Sequence, residues 1–160
     1  MPDMLVKLYD LPDCTEADRK LEDTGIVVRR AIAPEKHVVM EWVRSTFSAA
    51  WASECDAAFS NHPVSCFIAV ENGKLIGFSC YDATCRNFFG PMGVSAEARG
   101  KGVGRSLLLR CLRAMEAQGY AYAIIGGVGP AEFYEKTVGA TLIEGSKPGI
   151  YKGILYSSGA

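Results

Sequence analysis

The sequence lacks an excess of charge, a long uncharged segment and more than a few histidines, and each shortage excludes a class of protein. Its 18 acidic residues are balanced by 17 basic ones, which gives a net charge of −1. A near-neutral chain lacks the strong positive field of most nucleic-acid-binding domains. The longest uncharged segment, residues 117–131, has 15 residues of which five are glycine or proline, so no segment is suited to span a bilayer.

Metal-binding and secretory signals are also missing. The only histidines are His37 and His62, and there is no C-x-x-C motif, so we predict no metal site. Charged residues at positions 3, 7 and 10 interrupt the apolar N-terminal stretch, which argues against a secretory signal and favours a cytoplasmic protein. In that compartment cysteines are expected to be free thiols. The cysteines are Cys14, Cys55, Cys66, Cys80, Cys85 and Cys111.

A length of 160 residues with 49% hydrophobic residues predicts one globular domain over residues 1–160. Apolar runs bounded by turn residues predict strands at residues 4–9, 26–32, 66–70, 74–81, 88–94, 120–125, 141–144 and 150–156. Helical periodicity predicts helices at residues 34–47, 51–61, 103–115 and 131–136. Residues 1–25 form an N-terminal extension in which residues 13–23 stay unassigned, and residues 157–160 are expected to fray.

The central strands carry two local signals. An Asn-Gly pair at residues 72–73 lies between two apolar runs, and it predicts a hairpin with antiparallel strands on either side. The next strand, residues 88–94, contains Gly90, Pro91 and Gly93. Proline cannot donate to a strand ladder and glycine weakens it, so this composition predicts a bulge or a strand that splays away from its neighbour.

A glycine-rich segment precedes the helix predicted at residues 103–115. Residues 97–106 read EARGKGVGRS and contain Gly100, Gly102 and Gly104. Glycine lets the backbone approach a phosphate closely, and the unpaired N–H groups of a helix start stabilise its negative oxygens. With five basic and two acidic residues in residues 97–116, the pattern predicts a site for a phosphorylated cofactor. The alternative is a turn with a solvated basic face, and the spacing fits neither a Walker A motif nor a dinucleotide fingerprint.

Residues 92–108, MGVSAEARGKGVGRSLL, resemble the acetyl-CoA-binding segment of the GCN5-related N-acetyltransferases, the GNAT family. The signature of that segment is V-x-P-x-x-[QR]-x-x-G-x-[GA]. Four positions match it, namely Val94, Arg99, Gly102 and Gly104, while alanine replaces the usual proline.

A second segment, residues 120–143, reads YAYAIIGGVGPAEFYEKTVGATLI and is similar to the family's later strand, short helix and strand, usually written with Y-E-K-L-G-F. Residues 134–136 match, one additional residue precedes Gly139, and Ala140 replaces the phenylalanine. The resemblance covers residues 66–156. It implies an α+β fold, an α/β sandwich whose strongly twisted, mixed and mostly antiparallel sheet has splayed central strands and about four flanking helices.

The resemblance also implies acetyl-CoA as cosubstrate. The pantetheine arm would lie between the splayed strands and bond to the backbone of Met92 and Val94, and the glycine-rich segment would hold the pyrophosphate. Gly127 takes the position of an asparagine that often contacts the cofactor in the family. The cofactor-binding residues implied in this way are Met92, Gly93, Val94, Arg99, Gly100, Lys101, Gly102, Val103, Gly104, Arg105, Ser106 and Gly127.

The activity implied by the resemblance is transfer of an acetyl group to a primary amine of a small molecule or peptide by direct attack. Tyr134 matches the tyrosine that in many members protonates the departing thiolate. Many relatives carry a glutamate on the splayed strand as the base, but residues 88–91 are Phe, Phe, Gly and Pro here. The usual base is therefore missing.

Another side chain must take the proton of the amine, because an amine with a pKa near 10.4 is almost entirely protonated at pH 7. Asp82, at the end of a predicted strand, is the candidate we select over Asp56 and His62. Glu41 and Glu54 are interpreted as charges on exposed helix faces.

Two other functions remain open. A non-catalytic acyl-CoA-binding regulatory module would have the same fold and no base, and a nucleotide-phosphate binder would use the glycine-rich segment alone. No nucleic-acid or membrane partner is expected, and a homodimer is left open. We expect the acceptor site to be enclosed by residues 1–25, 34–61 and 145–151. The aromatic residues that either line it or belong to the core are Phe47, Trp51, Tyr81, Phe88 and Tyr151.

Overall fold

The structure, a computed structural model, describes residues 1–157, and this part of the chain contains seven strands and five α-helices. The strands are β1 (Met4–Lys7), β2 (Ile26–Arg30), β3 (Cys66–Glu71), β4 (Lys74–Tyr81), β5 (Phe88–Val94), β6 (Tyr122–Ile125) and β7 (Thr141–Leu142). The helices are α1 (Thr15–Asp23), α2 (Lys36–Thr46), α3 (Ala49–Phe59), α4 (Val103–Ala117) and α5 (Ala131–Val138). Of residues 157–160, which are predicted to fray, residues 158–160 lie outside the described part. None of the described helices has both the length and the apolar character needed to cross a membrane.

All seven strands form one mixed sheet in the order β2-β3-β4-β5-β6-β1-β7. Neighbouring strands are antiparallel except β5 and β6, which are parallel. The predicted hairpin joins β3 and β4, with Glu71 opposite Lys74. The predicted α+β fold with a mixed and mostly antiparallel sheet is confirmed.

A gap opens in the sheet between β5 and β6. Pairing between these strands is limited to Phe88 and Phe89 on the β5 side. Beyond Phe89, Gly90 adopts a φ of 122° and Pro91 has no N–H to donate. The strands therefore separate there, as the composition of residues 88–94 predicts.

Apolar clusters cover both faces of the sheet. On one face the stripe of α4 packs against the strands, with Leu108, Leu112 and Met115 fully buried. On the other face α2 and α3 pack over a cluster that includes Phe78 and Cys80 of β4. Each fully buried leucine contributes roughly 2 kcal/mol, so the two clusters hold the helices rigidly on the sheet and fix the two sides of the gap.

The N-terminal extension is part of the sheet. β1 lies between β6 and β7, and its pairing with β6 runs from Met4 opposite Ile125 to Lys7 opposite Tyr122. The strand predicted at residues 4–9 thus exists, although it ends at Lys7. Its position next to β6 joins two segments that are more than a hundred residues apart in the sequence, which local patterns do not reveal.

The strand predicted at residues 150–156 is wrong. Gly149–Tyr151 forms a single 3-10 turn, and irregular backbone follows it. The sheet position beside β6 is already taken by β1. Gly149 and Gly153 also adopt φ values of 62° and 75°, which interrupt an extended strand. This C-terminal segment instead lies over the gap between β5 and β6.

The unassigned residues 13–23 contain α1. Leu21 is its one buried residue, so the helix lacks the apolar stripe by which helices are detected in a sequence. Asp13 fixes its start, because one carboxylate oxygen accepts hydrogen bonds from the N–H of Thr15 at 3.0 Å and from its hydroxyl at 2.7 Å. The helix is held against α4 by polar contacts described below.

Candidate active site

A cavity of about 1020 Å³ lies where β5 and β6 separate. Residues 89–92 and 125–130 line it from the two strands and the loop after β6. α3 and the C-terminal segment complete the wall, and Tyr134 of α5 lines it as well. The gap in the sheet is therefore the floor of a site large enough for a small molecule.

The glycine-rich segment forms an anion site at the start of α4. Gly100 and Gly102 adopt left-handed φ values of 81° and 85°, and a Cβ at either position would point into open space. The backbone N–H of Ser106 donates the first hydrogen bond of the helix, to the carbonyl of Gly102 at 3.1 Å. The N–H groups of residues 103–105 precede that bond and are left for a ligand.

Basic side chains surround this helix start. Within residues 1–157 neither Arg99 nor Arg105 takes part in an ion pair, whereas Nζ of Lys101 lies 3.9 Å from a carboxylate oxygen of Glu71. The two arginines are thus available to a phosphate. The charge pattern read from the sequence is present where the backbone donors lie.

Ser106, one of the predicted cofactor-binding residues, contacts α1. Its side chain is buried, and its hydroxyl donates to Asp18 of α1 at 2.7 Å. The other oxygen of Asp18 lies 3.4 Å from Nε of Arg110. Because both the N–H and the hydroxyl of Ser106 have partners within the protein, the residue joins α1 to α4 and has no free donor for a cofactor.

The open edge of β5 presents backbone groups to the gap. The N–H of Ser95 donates to the carbonyl of Ile76 in the β4 direction at 2.8 Å. Backbone groups of alternate residues point to opposite edges of a strand, so those of Gly93 also face β4, and those of Met92 and Val94 face the gap. The structure thus brings the two predicted positions to the gap.

Gly93 is required for packing. A Cβ at this position would overlap the ring of Phe47, which rests on β5 and contacts Trp51 with ring centroids 5.1 Å apart. Of the predicted aromatic residues, Trp51 and Tyr151 line the cavity. Phe47, Tyr81 and Phe88 are not among the lining residues.

Gly104 marks the point where three parts of the site meet. A Cβ added there would lie 3.8 Å from Cγ2 of Val94, 3.9 Å from Cε of Met92 and 4.0 Å from Cζ of Phe133. The start of α4, two side chains of β5 and the first turn of α5 therefore approach one another around Gly104. A ligand can extend from the anion site along β5 into the cavity.

Tyr134 lies in the first turn of α5 with only 7% of its surface exposed. Its ring packs edge-on against Phe89, with centroids 6.2 Å apart, and burial raises the pKa of its hydroxyl to about 12. Among the described residues no buried side-chain oxygen lacks a hydrogen-bond partner, and the Tyr134 hydroxyl makes no such bond. The hydroxyl is therefore accessible from the cavity and stays protonated at neutral pH.

Gly127 also lines the cavity. It adopts a φ of 56°, and its N–H donates to a carboxylate oxygen of Asp3 at 2.9 Å. The backbone N–H of Gly127 is therefore bonded to the N-terminal segment and is not free for a ligand. Tyr151 stacks over this position, since a Cβ there would lie 3.5 Å from its ring.

The structure does not bring Asp82 to the cavity. One carboxylate oxygen accepts from the N–H of Asn87 at 2.8 Å and the other from the hydroxyl of Tyr120 at 3.1 Å. With a φ of 50°, Asp82 organises the turn between β4 and β5. Asp56, which pairs with Lys36 at 2.6 Å, does not line the cavity either, and neither does His62.

Glu54 is the carboxylate that the sequence interpretation missed. It lines the cavity from α3, one helical turn after Trp51. One oxygen accepts from the hydroxyl of Thr84 at 2.6 Å. Burial raises the pKa of Glu54 above its usual value, and the hydrogen bond from Thr84 acts in the opposite direction. The spacing of Trp51, Glu54 and Ala57, all on one face of α3, is the signal that could have identified it.

All six cysteines are free thiols in the structure, in agreement with the expectation. Three of them, Cys55, Cys66 and Cys80, are buried with their sulfur atoms within 4.8 Å of one another. No fourth histidine, cysteine or carboxylate of residues 1–157 joins this group, so a tetrahedral zinc site would lack a ligand. The three side chains belong to the apolar cluster beneath α2 and α3.

Comparison with known proteins adds a family and a fold. Residues 36–140 match the acetyltransferase (GNAT) family. Comparison with curated proteins gives no match. A GCN5-related N-acetyltransferase from Sphaerobacter thermophilus superposes with a TM-score of 0.69 at 20% identity, over 89% of this chain and 48% of that one. The glucosamine N-acetyltransferase region of a fungal multi-domain β-N-acetylglucosaminidase gives 0.71 at 15% identity, over 89% and 19%.

A GNAT family acetyltransferase from Brucella melitensis, solved in complex with acetyl-CoA, superposes with a TM-score of 0.55 at 14% identity, over 74% of this chain and 86% of that one. The chain spans about half the length of the Sphaerobacter protein and about a fifth of the fungal one. At these identities the superpositions show a shared fold.

Proposed function

Because the chain belongs to the acetyltransferase (GNAT) family, we propose that it transfers the acetyl group of acetyl-CoA to a primary amine of a small molecule or peptide. The proposal rests on the close approach of the start of α4, β5 and α5 around Gly104. Met92, one of the residues around Gly104, also lines the cavity that contains the accessible phenol, so the phosphate site and the cavity are neighbours. The complex of the Brucella relative with acetyl-CoA supports the choice of cosubstrate.

The residues present suit the parts of acetyl-CoA. The free N–H groups of residues 103–105, together with Arg99 and Arg105, would hold the pyrophosphate. The backbone groups of Met92 and Val94 would bond to the pantetheine amides. Acetyl-CoA supplies an activated acyl group with a thiolate as leaving group.

Tyr134 would protonate the departing sulfur. Its hydroxyl is accessible from the cavity and remains a proton donor at neutral pH, since its pKa is about 12. A thiolate that forms in the same poorly solvated cavity is also a stronger base than in water. The shared cavity thus raises both the pKa of the phenol and the basicity of the thiolate, so proton transfer from Tyr134 to sulfur stays favourable.

The test has two parts. Thermal shifts with CoA, acetyl-CoA and ATP at equal concentration measure the binding of each, and thiol release from acetyl-CoA with a panel of amines measures transfer. We expect stabilisation by CoA and acetyl-CoA but not by ATP, and amine-dependent thiol release above a blank without amine. Stabilisation by CoA without release for any amine would indicate a regulatory acyl-CoA-binding module, and equal stabilisation by ATP would contradict the pantetheine assignment.

A further inference from the structure

We propose that Glu54 binds the ammonium group of the acceptor and takes its proton, and that the acceptor is a primary amine on a flat, apolar body. This inference rests on the proposed function and names the acceptor class of the same cavity. Relatives with a glutamate on the splayed strand place the base on β5, whereas here it would come from α3.

Glu54 is the one charged side chain among the described residues that line the cavity. The other lining side chains are apolar, aromatic or hydroxyl-bearing. A carboxylate in such surroundings is weakly solvated, which strengthens its attraction for a cation that enters. An ammonium group therefore has a single place in this cavity where its charge is matched.

One oxygen of Glu54 is free for that cation. The hydroxyl of Thr84 donates to Oε1 at 2.6 Å. Oε2 accepts no hydrogen bond from residues 1–157, and no buried side-chain oxygen in this part of the chain lacks a partner. Oε2 is consequently exposed to the cavity, while Thr84 fixes the rotation of the carboxylate.

The walls around Glu54 indicate the rest of the acceptor. Trp51 lies one helical turn before it, and Tyr151 and Ile154 of the C-terminal segment lie across the cavity. Tyr151 is close enough to Glu54 that the carboxylate charge helps to raise the pKa of its phenol, after the larger effect of burial. Flat and apolar surfaces of this kind bind aromatic or aliphatic groups.

Glu54, Tyr134 and solvent account for every proton in the transfer. One proton of the ammonium passes to Oε2 of Glu54, and the nitrogen lone pair forms the C–N bond to the acetyl carbon. The C–S bond breaks, its electron pair leaves on sulfur, and the hydroxyl of Tyr134 protonates that sulfur. The surplus proton on nitrogen restores Tyr134 through solvent, and Glu54 releases its proton to solvent.

Other titratable groups near Glu54 must be considered in any pH profile. Tyr134 and Tyr151 line the same cavity. Asp3 and Cys85 act on Tyr151. The two phenols titrate above neutral pH because burial raises the pKa of each. A change in rate on the acid side of neutrality therefore reports a carboxylate, and its loss in Glu54→Gln assigns it to Glu54 and not to Asp3.

The decisive variant is Glu54→Gln, with Glu41→Gln on the exposed face of α2 as matched control. Calorimetry with 2-phenylethylamine and hexylamine, each compared with the corresponding neutral alcohol, measures recognition of the ammonium without turnover. We expect the wild type and Glu41→Gln to prefer each amine by about 10-fold or more. Glu54→Gln should lose that preference and keep the affinity for acetyl-CoA.

Turnover provides a second readout. In Glu54→Gln we expect kcat/KM at pH 7 to fall by roughly 10²-fold to 10⁴-fold and to recover as the pH approaches the pKa of the amine. Thr84→Val removes the hydrogen bond that lowers the pKa of Glu54, so the acid limb of the profile should move to higher pH. A purely structural role of Thr84 would not shift that limb.

The outcomes separate the two proposals. A wild type that binds each amine no better than its alcohol, or a Glu54→Gln variant with unchanged preference and pH profile, would overturn the role of Glu54 whatever the result with acetyl-CoA. Failure to bind acetyl-CoA with the amine preference intact would instead overturn the proposed acetyl transfer and leave Glu54 as an ammonium site.

Discussion

The two halves of the candidate site are built in different ways. The half beside α4 consists of backbone groups from one continuous segment, residues 92–105, of which only Met92 lines the cavity. The half beside α3 consists of side chains from four separate parts of the chain, namely Met1, Glu54, Thr84 and Tyr151. A backbone site binds the same group whatever the side chains are, whereas a side-chain site changes with each substitution. The first half is thus suited to a constant cosubstrate and the second to a variable acceptor.

The largest effect is expected when a charge enters the backbone half, in Gly102→Asp. The new carboxylate would stand at the start of α4 beside the bound pyrophosphate. Two like charges about 4 Å apart repel by about 4 kcal/mol at an effective dielectric constant of 20, which corresponds to roughly 10³-fold in Kd. Calorimetry with acetyl-CoA measures the loss.

Gly119→Asp is the control for Gly102→Asp. Gly119 follows α4 at its other end, with a φ of 103° and open space around an added Cβ, so both variants place an aspartate on a left-handed residue. A loss of acetyl-CoA affinity in folded Gly102→Asp but not in folded Gly119→Asp supports the anion site. Unchanged affinity in folded Gly102→Asp would exclude it.

Tyr134→Phe tests the boundary between the two halves. The ring and its contact with Phe89 remain, and the proton donor is lost, so turnover should fall by roughly 10-fold to 10⁴-fold while the Kd for acetyl-CoA and the Tm stay near wild type. The matched control is Tyr120→Phe, which removes a phenol that donates to Asp82 outside the cavity. Tyr120→Phe should keep full turnover. Full turnover in Tyr134→Phe as well would remove Tyr134 from the mechanism.

The different construction also explains what the sequence could predict. The backbone half depends on glycines, a proline and a helix start that lie close together in the chain. Because these features form a local sequence pattern, Gly102, Val94 and the splayed strand could be predicted from the sequence. The acceptor half is assembled by pairings such as β1 with β6, which bring residues from both ends of the chain to the gap. Patterns within short stretches of the sequence do not reveal these pairings.

Two incorrect interpretations have the same origin. Residues 150–156 have the composition of a strand, but the only sheet position beside β6 within the described chain is held by β1. Glu54 was interpreted as a surface charge because the alanine-rich α3 has a weak apolar stripe, and only the C-terminal segment that covers it turns that face inward. Both errors follow from contacts between distant segments.

Stability distinguishes two glycines that the sequence interpretation treated alike. Gly93→Ala forces a methyl group into the ring of Phe47 and should cost about 1–3 kcal/mol of unfolding free energy. Gly104→Ala has room within the apo protein and improves helix propensity, by up to about 1 kcal/mol. Urea unfolding measures both.

The affinity for acetyl-CoA completes that comparison. We expect Gly104→Ala to bind acetyl-CoA more weakly although it is not less stable, because its methyl group would lie where the ligand passes between Val94 and Phe133. An unchanged Kd would place the ligand elsewhere, and a Gly93→Ala variant as stable as wild type would contradict the packing role of Phe47.

The smallest effects concern the pH dependence of stability, in which two glutamates should behave with opposite sign. Glu35 accepts from Arg29 at 2.9 Å and from the N–H of Ile32 at 2.9 Å, and these bonds lower its pKa from 4.5 to about 2. Its stabilisation is therefore complete above pH 4.5 and is lost as the pH falls towards 2. Glu35→Gln should be less stable than wild type at pH 7, by no more than about 1 kcal/mol for so exposed a pair, and the difference should shrink as the pH falls below 4.5.

Glu54 has the reverse behaviour because burial raises its pKa. The folded protein then binds more protons than the unfolded chain, so the wild type loses stability as the pH rises through the range between the two pKa values. Glu54→Gln does not ionise and should be more stable than wild type at pH 8, with the difference disappearing in acid. Urea unfolding of both variants between pH 3 and pH 8 would show two curves of opposite slope. Parallel curves would mean that Glu54 is as well solvated as a surface carboxylate, and the acceptor half would then lose the feature that makes it a site.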